Sequence, residues 1–375
     1  MQYRKYSIER TAVKRRRVFP LIIIAVCAVV TVVFLYMFFA TNIFVDRSST
    51  LLKASEVLPE ECVGTQNNIL YLTDGKLTCI DLEGNVKWST ASDAKYDRLQ
   101  ASDSVISLYC DTGAVFFDYD ATPLFILDME SQITGVSCGK DVVGVMVTQK
   151  EEADSSSFFH IYDHTGKELS TIDFTSKHIL KSGIYGDSDI IYVLSLDTTG
   201  VVPMCYITTY KSDGTITGSI SVNTQLLDNV IISDSQIFAS GTNSLTSYSY
   251  FGEQQKEALI YGWEPYDSYV SGSDVMMMYT ARGTEPENTE GLFSIKVLDE
   301  SFNETMIYFP EAANYICCSE SRIYAFGEMN IYVYNIQGEQ INTIELTSPI
   351  VKAKSLGNGY AIVEESTASY ILKLS

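Results

Sequence analysis

Residues 68 to 90 read NILYLTDGKLTCIDLEGNVKWST, in which an apolar run, a Gly turn, a second run, a second Gly turn and a short segment ending near Trp88 follow one another. The spacing predicts three strands joined by tight turns, a unit too small to bury its faces alone. It recurs. The turn between the last two strands, LEGN at Gly84, is answered by YDATP at Ala121, DHTGK at Gly166, KSDGT at Gly214, YFGEQ at Gly252, DESFN at Phe302 and NIQGE at Gly338. These landmarks are 36 to 50 residues apart, the period of a four-stranded β-propeller blade.

A second landmark precedes each unit. ECVGTQNNILYL, RLQASDSVISLYC, GVSCGKDVVGVMV, ILKSGIYGDSDIIYVL, VIISDSQIFAS, YVSGSDVMMMYT, YICCSESRIYAF and VKAKSLGNGYAIV each place a small polar turn before an apolar run. Ser, Asp, Asn and Gly are the residues that tight turns require. Eight inner units against seven outer turns imply one outer strand supplied from elsewhere, and STLLKA, residues 49–54, is the candidate for closing the ring. The fold class is therefore all-β: a propeller of four-stranded antiparallel blades, eight in number, with seven left open.

At this point the stretch LYLTDGKLTCIDLEGNVKW resembles the repeat of quinoprotein-like (PQQ-like) propellers, with Asp81, Gly84 and Trp88 at the family's Asp, Gly and Trp. Residues 59–375 as a whole are similar to uncharacterised membrane-anchored propellers of Gram-positive bacteria. The resemblance implies fold and location. It supplies neither the calcium ligands nor the catalytic carboxylate of a quinone-dependent dehydrogenase, so no cofactor and no catalytic residue are expected, and an enzyme is the less favoured reading.

Ahead of the repeats the pattern changes. VFPLIIIAVCAVVTVVFLYMFFA, residues 18–40, has no charged residue and is long enough to cross a hydrocarbon core of ~30 Å at ~1.5 Å per residue. It reads as an uncleaved signal anchor. Residues 1–18 carry seven basic side chains and one acid, so residues 1–17 are expected in the cytoplasm as a basic tail, 41–58 as a linker and 59–375 outside the cell membrane. The net charge of −21 leaves −27 on the remainder, which disfavours nucleic acid as a partner. Of eight cysteines Cys27 falls in the span, and the odd seven outside it are expected to form few disulfides. Cys317 and Cys318, adjacent in a strand, point to opposite faces.

Candidate chemistry is sparse. His160, His164 and His178 lack metal-ligand spacing, the Asn303–Thr305 sequon matters only in a eukaryotic secretory pathway, and Trp88 and Trp263 are expected to pack, the latter from a loop. Geometry says more. Three turns between second and third strands are expanded: TQKEEADSSS (148–157), LDTTGVVPM (196–204) and YTARGTEPENTEG (279–291). Such turns share one rim of a propeller, and loops on a rigid scaffold carry binding. Glu151, Glu152, Asp154, Asp197, Thr284, Glu285, Glu287 and Glu290 then form a candidate acidic rim for a cationic envelope protein partner. The alternative is a channel receptor or enzyme, for which Arg98, Lys181, Lys352 and Lys354 on the inner strands are the candidate anion site.

Overall fold

The computed structural model describes residues 51–53, 59, 62–65, 67–93, 95–150, 155–174, 177–185, 189–283, 291–319, 322–357, 359–366 and 368–374. The basic tail 1–17, the apolar span 18–40 and the linker 41–58 apart from 51–53 lie outside them, as do seven of the eight rim candidates, Glu151, Glu152, Asp154, Thr284, Glu285, Glu287 and Glu290.

Among the described residues of the unit 49–375 there are eight sheets, each of four strands. Strand β1 (Leu51–Lys53) stands ahead of the blades. Blade 1 is β2–β5 (Cys62–Gly64, Asn68–Thr73, Lys76–Asp81, Val86–Ala91), blade 2 is β6–β9 (Arg98–Ala101, Ile106–Tyr109, Gly113–Phe117, Pro123–Asp128) and blade 3 is β10–β13 (Gln132–Cys138, Val142–Lys150, Ser155–Asp163, Glu168–Asp173). Blade 4 is β14–β17 (His178–Tyr185, Ile190–Asp197, Met204–Tyr210, Ile216–Val222), and blade 5 is β18–β21 (Leu227–Ile232, Ile237–Gly241, Ser244–Tyr248, Gln254–Leu259). Blade 6 is β22–β25 (Trp263–Ser271, Asp274–Ala281, Leu292–Asp299, Glu304–Ala313), and blade 7 is β26–β29 (Tyr315–Ser319, Arg322–Phe326, Asn330–Asn335, Gln340–Glu345). Blade 8 is β30–β32 (Ile350–Gly357, Tyr360–Glu365, Ser369–Lys373) with β1 as its fourth strand, Leu51 opposite Leu372 and Lys53 opposite Tyr370.

The burial of each strand follows its place in the blade. Second and third strands, such as Asn68–Thr73 and Gly113–Phe117, are buried on both faces and so read as continuous apolar runs. Outer strands such as Val86–Ala91 alternate exposed and half-buried positions. Among the described residues the core divides into eight apolar clusters, each shared by two consecutive blades, from Leu70 with Leu108 between blades 1 and 2 round to Ile69 with Ile371 between blades 1 and 8. Cys317 faces the seam of blades 7 and 8 and Cys318 that of blades 6 and 7, as strand alternation requires. All seven described cysteines are free thiols.

The repeated outer turn has a local cause. Asp81 accepts the N–H groups of Glu83 and Asn85 at 2.9 and 2.8 Å, and Asp118, Asp163, Asp299 and Asn335 repeat that pair of bonds in their own blades. The fourth residue of each turn takes a positive φ, 82° at Gly166 and 66° at Phe302, so glycine is favoured there. Trp88 packs in the seam between blades 1 and 2 and donates its indole N–H to the Tyr119 carbonyl at 2.8 Å. Trp263 opens an inner strand instead of lying in a loop, and its ring covers the Lys296 ammonium at 4.7 Å, itself paired with Glu304 at 2.9 Å.

Candidate functional site

In a four-stranded meander the turns alternate between two faces. The turns joining second to third strands therefore share a face with the connections between blades, and the expanded turns after β11, β15 and β23 all emerge there. Asp197 ends β15 on this rim, half-buried, and its carboxylate accepts the Thr199 hydroxyl at 2.6 Å and the Thr199 N–H at 2.9 Å, which together hold it below the usual carboxylate range. The same rim of blades 4 to 6 exposes Val201, Val202, Leu226, Leu259, Tyr261 and Phe293. Isolated exposed apolar side chains are ordinary, whereas a series on one rim is the composition of a contact surface.

The four candidate cations of the channel are distributed over blades 2, 4 and 8. Arg98 is turned to the rim, where its guanidinium donates to Asp111 at 2.6 Å, lies 3.4 Å from Asp97 and stacks on Tyr109 at 4.7 Å. Lys352 and Lys354 lie on the inner strand of blade 8, and Lys181 on that of blade 4, halfway round the ring. Only Lys181 lines a described cavity. None of the described residues forms a cluster of three metal-ligating side chains, and His160 instead contacts Glu168 at 3.1 Å and Thr171 at 3.0 Å.

The inner strands carry a feature that residue patterning did not disclose. Their register slips between Ile133 and Gly135, Ile179 and Lys181, Leu227 and Asn229, Pro265 and Asp267, and Ile350 and Lys352. Each slip is a β-bulge near the rim end of a strand whose other edge faces the channel. Bulges blunt an open edge and re-aim the side chains beside them. Tyrosines complete the edge: Tyr266 Oη accepts the Ile316 N–H of blade 7 at 3.3 Å, and Tyr315 Oη accepts the Ser355 N–H of blade 8 at 2.6 Å.

The bulges of blades 4, 5 and 6 border a cavity of about 730 Å³ lined by Lys181, Asp228, Asn229, Glu264, Tyr266 and Asp267 among others. Lys181 donates to Asn229 Oδ1 at 2.5 Å, and burial lowers its pKa while Asp228 offsets part of that effect. Burial also raises the Asp228 carboxyl, with Glu264 adding to the rise and Arg282 opposing it. Asp267 goes further. Burial pushes it up to about 6 although it accepts the Ser268 N–H at 2.8 Å and an N–H from Cys318. Of these residues the sequence singled out Lys181 alone. A signal for the others was present in WEPYD, because a Pro inside a strand marks an edge or a bulge. A second cavity of about 690 Å³, lined by Asp274, Met276, Asp299, Glu300, Ile336 and Gln337, opens between blades 6 and 7 on the opposite face.

Among solved structures the chain is similar to BamB from Moraxella catarrhalis, at 9% identity with 86% of this chain and 99% of that chain covered and a TM-score of 0.53. It is likewise similar to the WD40 domain of SCAP from fission yeast, at 9% identity, 86% and 97% coverage and a TM-score of 0.58. At such identities the likeness shows the propeller fold. No curated protein matches the chain. A family model does match, over residues 47–372, and its description is "Family of unknown function (DUF5711)".

Proposed function

The chain belongs to DUF5711, a family of unknown function, and from that premise we propose that it is a membrane-anchored, non-enzymatic scaffold of the cell envelope. Its propeller presents the rim of blades 4 to 6 to a protein partner. Residues 18–40 anchor it, residues 1–17 remain in the cytoplasm and the propeller lies outside, an orientation supported by the concentration of basic residues ahead of the span. The observation that carries the reading is one-sidedness. The three expanded turns follow the second strands of blades 3, 4 and 6, and Val201, Leu226, Leu259 and Tyr261 are exposed on that same rim. Lengthening a loop costs only ~0.6 kcal/mol per doubling, so tolerance alone would have scattered insertions over both faces. The acidic residues of the expanded turns, Glu151, Glu152, Asp154, Glu285, Glu287 and Glu290, suit a partner with basic side chains flanking an apolar contact.

The test is photo-crosslinking in living cells, with the reactive residue at Tyr261 or Thr284 on the rim and at Asp120 in an outer turn of the opposite face. The expected result is a discrete adduct from both rim positions and none from Asp120. Silence at the rim, or the same adduct from Asp120, refutes the scaffold reading.

A further inference from the structure

We propose that the cavity between the inner strands of blades 4, 5 and 6 binds a primary alkylammonium group, supplied either by a free diamine or by a lysine of the partner docked on the rim above it. The second source rests on the scaffold reading, whereas the first does not.

The argument begins with size and wall. A space of about 730 Å³ falls within the range of pockets that hold small organic molecules. Its wall is made by three adjacent strands whose bulges set Lys181, Asn229 and Asp267 at equivalent positions near the rim end. Charge then selects the ligand. Asp228, Glu264 and Asp267 line the cavity against Lys181 alone, with Arg282 near Asp228 and its guanidinium donating to the Thr242 carbonyl at 3.3 Å. The ammonium of Lys181 is already engaged by Asn229 Oδ1, so an anion in the cavity would face three carboxylates and one occupied cation.

Asp267 has no counter-charge acting on it, whereas Asp228 has Arg282 and Lys181. Asp267 has two backbone N–H partners and, among the groups acting on it or responding to it, the phenols Tyr266 and Tyr315 and the thiols Cys317 and Cys318, all of which are neutral or would be negative. Burial raises Asp267 with no cation opposing it, the response of a carboxylate that loses water without gaining a cation, and it raises Asp228 despite Arg282. An ammonium held in the cavity beside Asp267 would supply the counter-charge that burial leaves missing. The phenol rings of Tyr185, Tyr192 and Tyr266 in the same wall suit the alkyl chain that follows an ammonium and the cation itself. A metal ion is a poorer match, because no three ligating side chains converge among the described residues.

The probe is cadaverine, a diamine of lysine side-chain length, titrated into the full-length purified chain by calorimetry, with glutarate as the anionic counterpart. Cadaverine is expected to bind and glutarate not to. Asp267→Asn and, separately, Glu264→Gln should each weaken cadaverine at least tenfold, while Lys181→Met should tighten it by removing the competing cation. Binding of glutarate in preference to cadaverine, binding of neither, or cadaverine binding indifferent to all three substitutions overturns the proposal. The two sources separate in the crosslinking experiment at Tyr261. Competition of the adduct by excess cadaverine assigns the ammonium to the partner, and an adduct unaffected by cadaverine assigns the site to a free amine. Cadaverine binding with no adduct at any rim position leaves the site standing and removes the scaffold.

Discussion

Neutralising Asp267 should stabilise this protein at alkaline pH relative to acid, and the size of the effect follows from its surroundings. The carboxyl is raised from 3.8 to about 6 by burial in the channel wall. A group whose folded pKa lies above its unfolded one favours folding fully below the unfolded value, and that contribution is lost as pH rises through the folded value. For Asp267 the loss begins near 3.8 and is complete above about 6. With ~1.36 kcal/mol per unit, the linkage between pH 5 and pH 8 amounts to about 1.4 kcal/mol, reduced to about 1 kcal/mol because the wall borders a cavity that admits water. Asp267→Asn removes this titration. It also leaves one of two N–H groups without an acceptor, at about 1 kcal/mol, but that loss is the same at both pH values and cancels in the comparison. The assay is urea denaturation of the full chain at pH 5 and pH 8, both away from the isoelectric point near 4.5, followed by the fluorescence of Trp88 and Trp263. The variant should gain about 1 kcal/mol on the wild type in going from pH 5 to pH 8. A shift of zero, or one of opposite sign, would show that Asp267 is not desolvated and would remove a support of the ammonium site. The expected combination, more stability and less binding, is the mark of a residue kept for function.

Two further outcomes test the fold. Gly166 and Gly262 share a φ of 82°, yet a Cβ at Gly166 would stand 2.8 Å from Phe125 whereas one at Gly262 would meet nothing within 4 Å. Gly262→Ala should therefore cost only the backbone strain, ~1–2 kcal/mol, and Gly166→Ala a further ~1–3 kcal/mol of overpacking. Equal urea midpoints for the two variants would contradict this. Trp88→Phe keeps most of the packing between blades 1 and 2 but deletes the indole bond to the Tyr119 carbonyl, and a loss of ~1 kcal/mol is expected by the same measurement; no loss would mean that water replaces the bond.

The propeller was legible because its signals are local. An acceptor side chain at the head of six of the seven outer turns, Lys211 of blade 4 being the exception, and a positive φ three residues later leave a mark in sequence, even where Ala121 or Phe302 takes the place of glycine. The eighth blade was legible by accounting for strands: one outer strand was missing, and residues 51–53 occupy its place. The face on which the turns after β11, β15 and β23 emerge follows from the same accounting, since a turn's position in the blade decides its face. The channel was not. A slip of one residue at Pro265 or Ile179 redirects every later side chain of its strand; the proline marks the first locally, and nothing local records the second. Arg98 reads as a channel cation until the turn that brings Asp111 to it is known, and Asp267 reads as one acid among many until the N–H of Cys318 and the wall of blade 7 are placed around it.

The seam at blade 8 also bears on how the chain is made. Its outermost strand, Leu51–Lys53, precedes all seven complete blades, while the partner strand, Ser369–Lys373, follows them. During synthesis the early strand must wait with an unpaired edge until the late one appears, and the arc of finished blades stays open in the meantime. A chain that stalls or is clipped before Ser369 keeps seven well-formed sheets and still cannot seal. The paired edge is thus present on molecules that have both strands and missing from those cut between Lys53 and Ser369, and a chaperone or protease that recognises exposed strand edges could sort the two populations without reading anything else in the protein.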